Sequence, residues 1–251
     1  MILNNRPGSK MKKDNSGYIF VHYVLSALLT LMIIWLCCGQ SAFAASSNID
    51  SLLQGEGYVP VLYNNETGLP TSEANAIAQT SEGFIWIGSY SGLIRYDGKT
   101  FERLNPDEGT ASAVCLYVDS RGRLWVGTND TGAAMIDHGN VVRWNTSDGL
   151  KSSFVSVIAE DSQGKIYFAT TQGVYTVDQD MNLRAIEDPR IANEYMEDLQ
   201  AGSDGYIYAA TSRGDIFTLK DEQIIRYVSR EENTVAGITC LLTDPVVPGY
   251  M

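Results

Sequence analysis

The sequence predicts an all-β chain assembled from four-stranded antiparallel units, and three observations predict it. A ten-residue stretch returns four times, most fully as Asp119-Ser120-Arg121-Gly122-Arg123-Leu124-Trp125-Val126-Gly127-Thr128, with residues 80–89, 161–170 and 202–211 as its other copies. The aligned glycines Gly83, Gly122, Gly164 and Gly205 are 39, 42 and 41 residues apart. Each is followed at fixed offsets by an aromatic (Trp86, Trp125, Tyr167, Tyr208), a small residue (Gly88, Gly127, Ala169, Ala210) and a closing glycine (Gly92, Gly132, Gly173, Gly214). A period near 40 with so many fixed offsets is the signature of stacked structural repeats. The segments between these landmarks are short β-branched and aromatic runs bounded by Gly, Asp, Asn and Ser, the composition of strands. Finally, no segment beyond residue 44 holds a 3.6-residue apolar period over the length of a helix.

Taken from the N-terminus, residues 1–44 have the form of an export signal. Lys10, Lys12 and Lys13 form a basic start, the apolar run 18–38 is interrupted only by His22, Ser26 and Thr30, and Ala42-Phe43-Ala44 is a small-x-small cleavage site. The run is long enough that an uncleaved anchor is the alternative to a cleaved signal peptide. In both cases the rest of the chain is exported to the periplasmic or extracellular face of the cytoplasmic membrane, and only the N-terminal segment, if uncleaved, engages the membrane. Residues 45–57 are small and polar, a linker, and 58–63 is expected to be a short edge strand because it contains Pro60.

Four units follow, at about 68–104, 109–144, 149–186 and 194–227. Their strands are predicted at 74–79, 84–88, 93–96 and 100–104; at 114–118, 124–127, 133–136 and 141–144; at 155–159, 166–169, 174–177 and 183–186; and at 196–200, 207–210, 216–219 and 224–227. The turns have mechanisms. Asp119 to Gly122 and Asp161 to Gly164 fit four-residue turns in which the carboxylate caps the start and glycine supplies positive φ. Asp97-Gly98 and His138-Gly139 are suited to two-residue hairpins between third and fourth strands. Four hairpin-joined strands repeated every 40 residues make a propeller blade. The second-strand aromatics are predicted to pack on the neighbouring blade, each contributing roughly 2–3 kcal/mol. The small residue two positions later leaves room for the neighbour's ring, and Trp144 and Tyr227, ending fourth strands, fit the outer rim. A fifth unit begins at 237–244 with an innermost-strand pattern and the turn residue Asp244, and the partial unit 237–251 stops there. The expectation is an incomplete ring, the N-terminal piece of a longer protein or a truncated product, whose last blade 58–63 would complete; a compact four-bladed ring is the alternative.

Charge narrows the partners. The formal net charge is -12, and residues 1–44 contribute Arg6, Lys10, Lys12 and Lys13 against Asp14, so the remainder carries -15. A domain this acidic, with no basic run, excludes nucleic acid and anionic membrane surfaces as expected partners. Of the four cysteines, Cys37 and Cys38 lie in the leader, and Cys115 and Cys240 are expected to be buried free thiols on strands.

The run Phe84-Ile85-Trp86-Ile87-Gly88-Ser89-Tyr90-Ser91-Gly92-Leu93-Ile94-Arg95-Tyr96-Asp97-Gly98, preceded by Gly68-Leu69-Pro70 and Ile77, resembles the two-component regulator propeller repeat. The resemblance extends over about 58–244 and weakens in the fourth unit, where Tyr208-Ala209-Ala210 replaces W-x-G. It implies an extracytoplasmic sensor region, of the kind followed in full-length proteins by a membrane helix and a histidine kinase or diguanylate cyclase module, with dimerisation in the full-length sensor. It also implies a carbohydrate or another small extracellular molecule as ligand.

Chemistry is sparse. No catalytic residue, metal site or cofactor is predicted: there is no HExxH, no paired CxxC and no phosphate-binding glycine loop. His138 is expected to be a solvated turn residue. Asp119, Asp161 and Asp244 recur once per unit and belong to the blade. Binding is instead expected where loops vary on a rigid scaffold. In an up-and-down blade the second-to-third-strand turns and the connectors share one face, which selects Tyr90, Asn129, Asp130, Gln172 and Arg213 as candidate ligand-binding residues. The alternatives are an exported propeller enzyme acting on polysaccharide and a protein-binding scaffold.

Overall fold

The computed structural model describes residues 61–232 and 237–243. The leader 1–44, the linker 45–57, residues 58–60 and the stretch from Asp244 onward lie outside the described residues.

Four antiparallel sheets of four strands each account for the described chain. Blade 1 holds β1 (Ala76–Gln79), β2 (Ile85–Ser89), β3 (Gly92–Tyr96) and β4 (Phe101–Arg103), and blade 2 holds β5 (Ala113–Val118), β6 (Leu124–Thr128), β7 (Ala133–Asp137) and β8 (Asn140–Trp144). Blade 3 is β9 (Val155–Glu160), β10 (Ile166–Thr170), β11 (Gly173–Val177) and β12 (Leu183–Ala185), and blade 4 is β13 (Met196–Ala201), β14 (Ile207–Thr211), β15 (Ile216–Lys220) and β16 (Gln223–Val228). Every sheet is a simple meander in chain order. All sixteen predicted strands are present. Short 3-10 turns at Pro106–Glu108 and Thr146–Asp148 lead out of blades 1 and 2. The innermost strands β1, β5, β9 and β13 lie each against the next, and the described residues do not close a ring.

Strand alternation explains the packing. On β6, Leu124 and Val126 face blade 1 while Trp125 and Gly127 face blade 3. The three wedges between blades are the cores of the structure. Trp86 seals the first with Leu93, Ala113, Leu124 and Val126, Trp125 the second with Val155, Ile166 and Phe168, and Tyr167 the third with Met196, Ile207 and Phe217. On the far side of blade 1, Ile77 is 72% exposed, whereas Ile158 and Leu199 at the same place in blades 3 and 4 are 5% and 1%. Each of the latter two has a preceding blade to lie against.

The small residue after the aromatic works differently from the expectation. A Cβ on Gly127 would stand 2.4 Å from Cys115 Sγ and 2.6 Å from the Val155 carbonyl oxygen. It therefore makes room for the innermost strand of the next blade, not for a ring. Trp144 is a further correction: it is 4% exposed and stacked on Trp125 with ring centroids 5.2 Å apart. The last residue of the fourth strand turns into the wedge. Tyr227 is half-buried and stacks on Phe217 at 4.9 Å.

A set of inter-blade hydrogen bonds has no shared sequence. Asn75 Nδ2 donates to the Ala113 carbonyl (3.1 Å), Cys115 Sγ to that of Val155 (3.7 Å) and Ser156 Oγ to that of Met196 (3.3 Å). Three different side chains thus reach the first residue of the next innermost strand. The innermost strands β5, β9 and β13 all carry a register shift beside this point. Cys115 is half-buried as a residue, but its Sγ is enclosed between Gly127 and Val155, and burial pushes the thiol up to about 12. Cys240 is exposed and lies outside any strand, against the expectation for it; both cysteines are free.

The turns follow their chemistry closely. Gly122 takes φ 81° and donates its N–H to the Asp119 carbonyl (2.9 Å). The buried Asp119 carboxylate accepts from the backbone of Arg121 and Arg123, from Arg123 Nε (2.7 Å) and from Trp125 Nε1 (2.7 Å). Asp161 does the same for Tyr167 OH (3.2 Å), and Thr80 for Trp86 Nε1 (3.3 Å). In blade 4 Gly202 stands at that position, and Asp204 takes Tyr208 OH instead (2.6 Å). His138 and Gly139, at φ 48° and 85°, form the predicted two-residue hairpin. Asp97-Gly98 does not: Tyr96 pairs with Phe101, so four residues make that loop, and Asp97 Oδ1 accepts from Lys99 and Thr100.

Two terminal expectations are not met over the described residues. Residues 61–63 carry no strand, and neither do 237–243. The latter still lie beside the innermost strand of blade 4: Leu241 N–H donates to Asp198 Oδ2 (2.6 Å) and Thr243 Oγ1 to the Ala201 carbonyl (3.3 Å).

Candidate functional site

Meander topology gives the blades two distinct faces. The connectors and the turns after the second strands lie on one; the turns after the first and third strands lie on the other. Connector and turn are laced together on the first face. Gly132 N–H donates to the Ser153 carbonyl (2.8 Å), Gly173 N–H to Glu194 (2.9 Å) and Ser212 N–H to Tyr195 (3.3 Å).

The five predicted binding residues all lie on this face. Tyr90 is 58% exposed in the turn between β2 and β3, and Asn129 and Asp130 are exposed in the turn between β6 and β7. Gln172 is exposed with its N–H on Thr170 Oγ1 (3.0 Å), and Arg213 stands 3.8 Å from Glu194. No hydrogen bond or ion pair among the described residues joins any two of the five. The turns themselves are cross-tied: Ser89, Thr128 and Thr170 each donate a hydroxyl to the closing glycine carbonyl at 2.8–2.9 Å.

Sequence reasoning missed an aromatic pair on the same face. Phe154 and Tyr195 precede the innermost strands of blades 3 and 4, and their rings meet edge to face at 6.3 Å. Tyr195 is 40% exposed. Burial pushes its phenol above the usual range, with the Glu197 carboxylate adding to it. Attention to connectors as well as turns would have found the pair.

On the opposite face the wedge between blades 1 and 2 opens into a cleft of about 520 Å³. Trp86, Leu124, Ile136 and Val141 give it apolar walls, and Glu82, Arg95, Glu102 and Arg121 stand among its polar groups. The cleft is spanned at its mouth by His138 Nε2 and Glu82 Oε1, 3.7 Å apart. His138 Nδ1 meets Asp137 Oδ1 at 2.5 Å, and that contact, with the Asp137 and Glu82 charges, raises the imidazole above its ordinary value. The other wedges are latched more tightly on this face. Ser120 donates its N–H and Oγ–H to Glu160, both at 2.7 Å, between blades 2 and 3. Between blades 3 and 4, Glu222 accepts from Lys165 Nζ (2.9 Å) and Thr176 Oγ1 (3.1 Å). Burial pushes the Glu222 carboxyl up, but Lys165 and Thr176 outweigh it and leave it lowered.

The repeat framework matches a known repeat family in three places. Residues 68–91, 108–130 and 149–172 match the family described as two component regulator propeller, and each match runs from a connector to the end of a second strand or just beyond. The chain carries two component regulator propeller repeats. The fourth blade, in which Tyr208-Ala209-Ala210 replaces the tryptophan-x-glycine of the first two repeats, is not among the matched stretches.

Solved structures share the fold. An extracellular domain assigned to a hybrid two component system of B. thetaiotaomicron is 20% identical with a TM-score of 0.54, over 63% of this chain and 22% of that one. Another, assigned to a one component system of the same organism, is 17% identical with a TM-score of 0.54, over 64% of this chain and 24% of that one. Virginiamycin B lyase from Staphylococcus aureus is 20% identical with a TM-score of 0.50, over 60% of this chain and 54% of that one. The chain thus spans under a quarter of the two extracellular domains and about half of the lyase. No curated protein shows significant sequence similarity to it.

Proposed function

We propose that this chain is the extracytoplasmic sensing region of a bacterial signal-transduction protein, a module that binds and does not catalyse. The observation that carries the reading is the repeated match to the two component regulator propeller family over blades 1 to 3. The extracellular domains that share its fold support the exported location, as does the basic and apolar leader, whether it is cleaved or retained as an anchor. In this reading the ligand, a carbohydrate or another small extracellular molecule, docks on the connector face. There Tyr195 and Phe154 offer stacking surfaces, and Tyr90, Asn129, Asp130, Gln172 and Arg213 offer hydrogen bonds. Output would come from a kinase or cyclase module joined through a membrane helix, with two sensors pairing.

The lyase among the fold's neighbours favours a second reading, an exported enzyme on the same scaffold. One experiment separates the two. The purified full chain is titrated calorimetrically with cellohexaose and xylohexaose, and the recovered sugar is then sized. Saturable binding that Tyr195→Ala abolishes, with the sugar intact, is the expected result. Shortened or unsaturated products would replace the sensing reading with the enzymatic one.

A further inference from the structure

The cleft between blades 1 and 2 exists because the repeat is broken there. Blade 2 presents Trp125, Met135, Val142 and Trp144 to the wedge it shares with blade 3, and the indole of Trp144 fills that wedge against Trp125 and Phe168. The same positions in blade 1 are Trp86, Arg95, Glu102 and Leu104. A leucine replaces the filling tryptophan, and a guanidinium and a carboxylate replace two apolar side chains. The result is an open space of about 520 Å³ with one apolar wall, Leu124, Ile136 and Val141, and one polar wall. That volume lies within the range of small-molecule sites, which typically combine apolar walls with a few convergent polar groups.

The charges select the ligand's sign. Four carboxylates line the cleft, Glu82, Glu102, Glu108 and Asp137, against two guanidiniums, Arg95 and Arg121. Arg95 is already committed to Glu102 at 2.5 Å and stacks 4.7 Å from the Phe84 ring, and Asp137 is held by His138 at 2.5 Å. Glu108 is half-buried and makes no ion pair among the described residues; Glu82 meets only His138, at 3.7 Å. Glu108 and Glu82 therefore stand against one guanidinium without an ion pair among the described residues, Arg121, and with four carboxylates to two guanidiniums the lining is net acidic, which attracts a cation. The acidity of the chain beyond the leader raises the local concentration of cations further.

We propose that this cleft is a second binding site, separate from the Tyr195–Phe154 pair, for a small organic cation with an apolar body: an aryl- or alkylamine whose body lies between Trp86 and the Leu124–Ile136–Val141 wall and whose ammonium meets Glu108. The site goes beyond the sensing reading and stands without it.

The test uses the full chain and three probes with the same ring: phenethylamine, phenylacetate and 2-phenylethanol, titrated calorimetrically. Phenethylamine is expected to bind saturably, at least about tenfold more tightly than the other two, the factor that one charge-assisted hydrogen bond supplies. Leu104→Trp, which restores the filler found in the next wedge, is expected to abolish binding. Glu108→Gln, a conservative change at a half-buried site, is expected to weaken it about tenfold while leaving the thermal midpoint unchanged, which keeps the test valid if Leu104→Trp fails to fold. Tyr195→Ala should leave amine binding unaltered. Phenylacetate binding as tightly as phenethylamine, no amine binding at all, or amine binding indifferent to Glu108→Gln would each overturn the proposal.

Discussion

Asp119 and Asp161 occupy the same turn of successive blades, yet their replacement by asparagine is expected to cost very different amounts. In both, Oδ1 accepts two backbone N–H groups and Oδ2 faces the aromatic of the second strand. At Asp161 that partner is a tyrosine hydroxyl at 3.2 Å. When Oδ2 becomes an amide nitrogen, the hydroxyl can rotate and accept, so Asp161→Asn should cost about 1 kcal/mol. At Asp119 the partners are Trp125 Nε1 and Arg123 Nε, both at 2.7 Å. Neither can accept, so the new amide would confront two donors. The Arg123 side chain, 8% exposed against 0% for Asp119, would also lose its counter-ion. Stranding one member of a buried pair costs about 3–5 kcal/mol, a fall in melting temperature on the order of 10 °C for a domain of this size. Urea unfolding followed by tryptophan fluorescence measures both variants, and Asp119→Asn/Arg123→Leu should recover the charge part of the loss. Equal losses for the two single variants, within about 0.5 kcal/mol, would refute the reasoning. Acid gives a second reading of the same pair. Burial pushes the Asp119 carboxyl up, but the Trp125 and Arg123 bonds outweigh it and leave it lowered in the folded chain. Its contribution is therefore present above about pH 4, the unfolded value, and is lost as pH falls through the folded one. Asp119→Asn should flatten that acid limb.

Further outcomes follow from the wedges and turns. Gly127→Ala is expected to cost about 1–3 kcal/mol by overpacking, because its Cβ would meet a sulfur and a backbone oxygen inside 2.7 Å. Gly88→Ala, where the nearest atoms are 3.3 Å away, should cost less, and thermal melts of the two variants check the order. Trp144→Ala should cost about 3–5 kcal/mol in the same assay; a value near zero would return Trp144 to the rim. The His138 imidazole should titrate by NMR above the unperturbed value of about 6.5, and Asp137→Asn should lower its midpoint more than Glu82→Gln does, since the 2.5 Å contact to Asp137 is the larger cause.

What was legible in the sequence were the features that depend on local geometry. A glycine at positive φ, an aspartate two residues from the N–H it caps, and a two-residue strand period are set within a few residues, and all sixteen strands and the Asp119 and Asp161 turns follow from them. What was illegible depends on register between strands or on a neighbouring blade. Whether Asp97-Gly98 closes two or four residues is decided by the pairing of Tyr96 with Phe101. Whether Trp144 faces solvent or core is decided by its place opposite Ala133. The donors that join successive innermost strands, Asn75, Cys115 and Ser156, have nothing in common but a proton to give. The five candidate binding residues lie on the face expected from strand parity, a local property, whereas the Phe154–Tyr195 pair and the cleft appear only once neighbouring blades are set side by side.

Those three donors have a consequence for which substitutions the propeller tolerates. In each case the acceptor is a main-chain oxygen, which every amino acid supplies. A position that must hold a matched side-chain pair can change only if both partners change together. Here the receiving end is indifferent to sequence, and the giving end needs only reach and one polar hydrogen. Mutation can therefore wander among amide, thiol and hydroxyl at the axis without altering the spacing from one blade to the next. The outward aromatics and glycines, which fill or vacate fixed volumes, have no such freedom. That division accounts for a chain whose repeats are plain at residues such as Trp86 and Gly88 and unrecognisable at Asn75, Cys115 and Ser156, although all of them fix the same spacing.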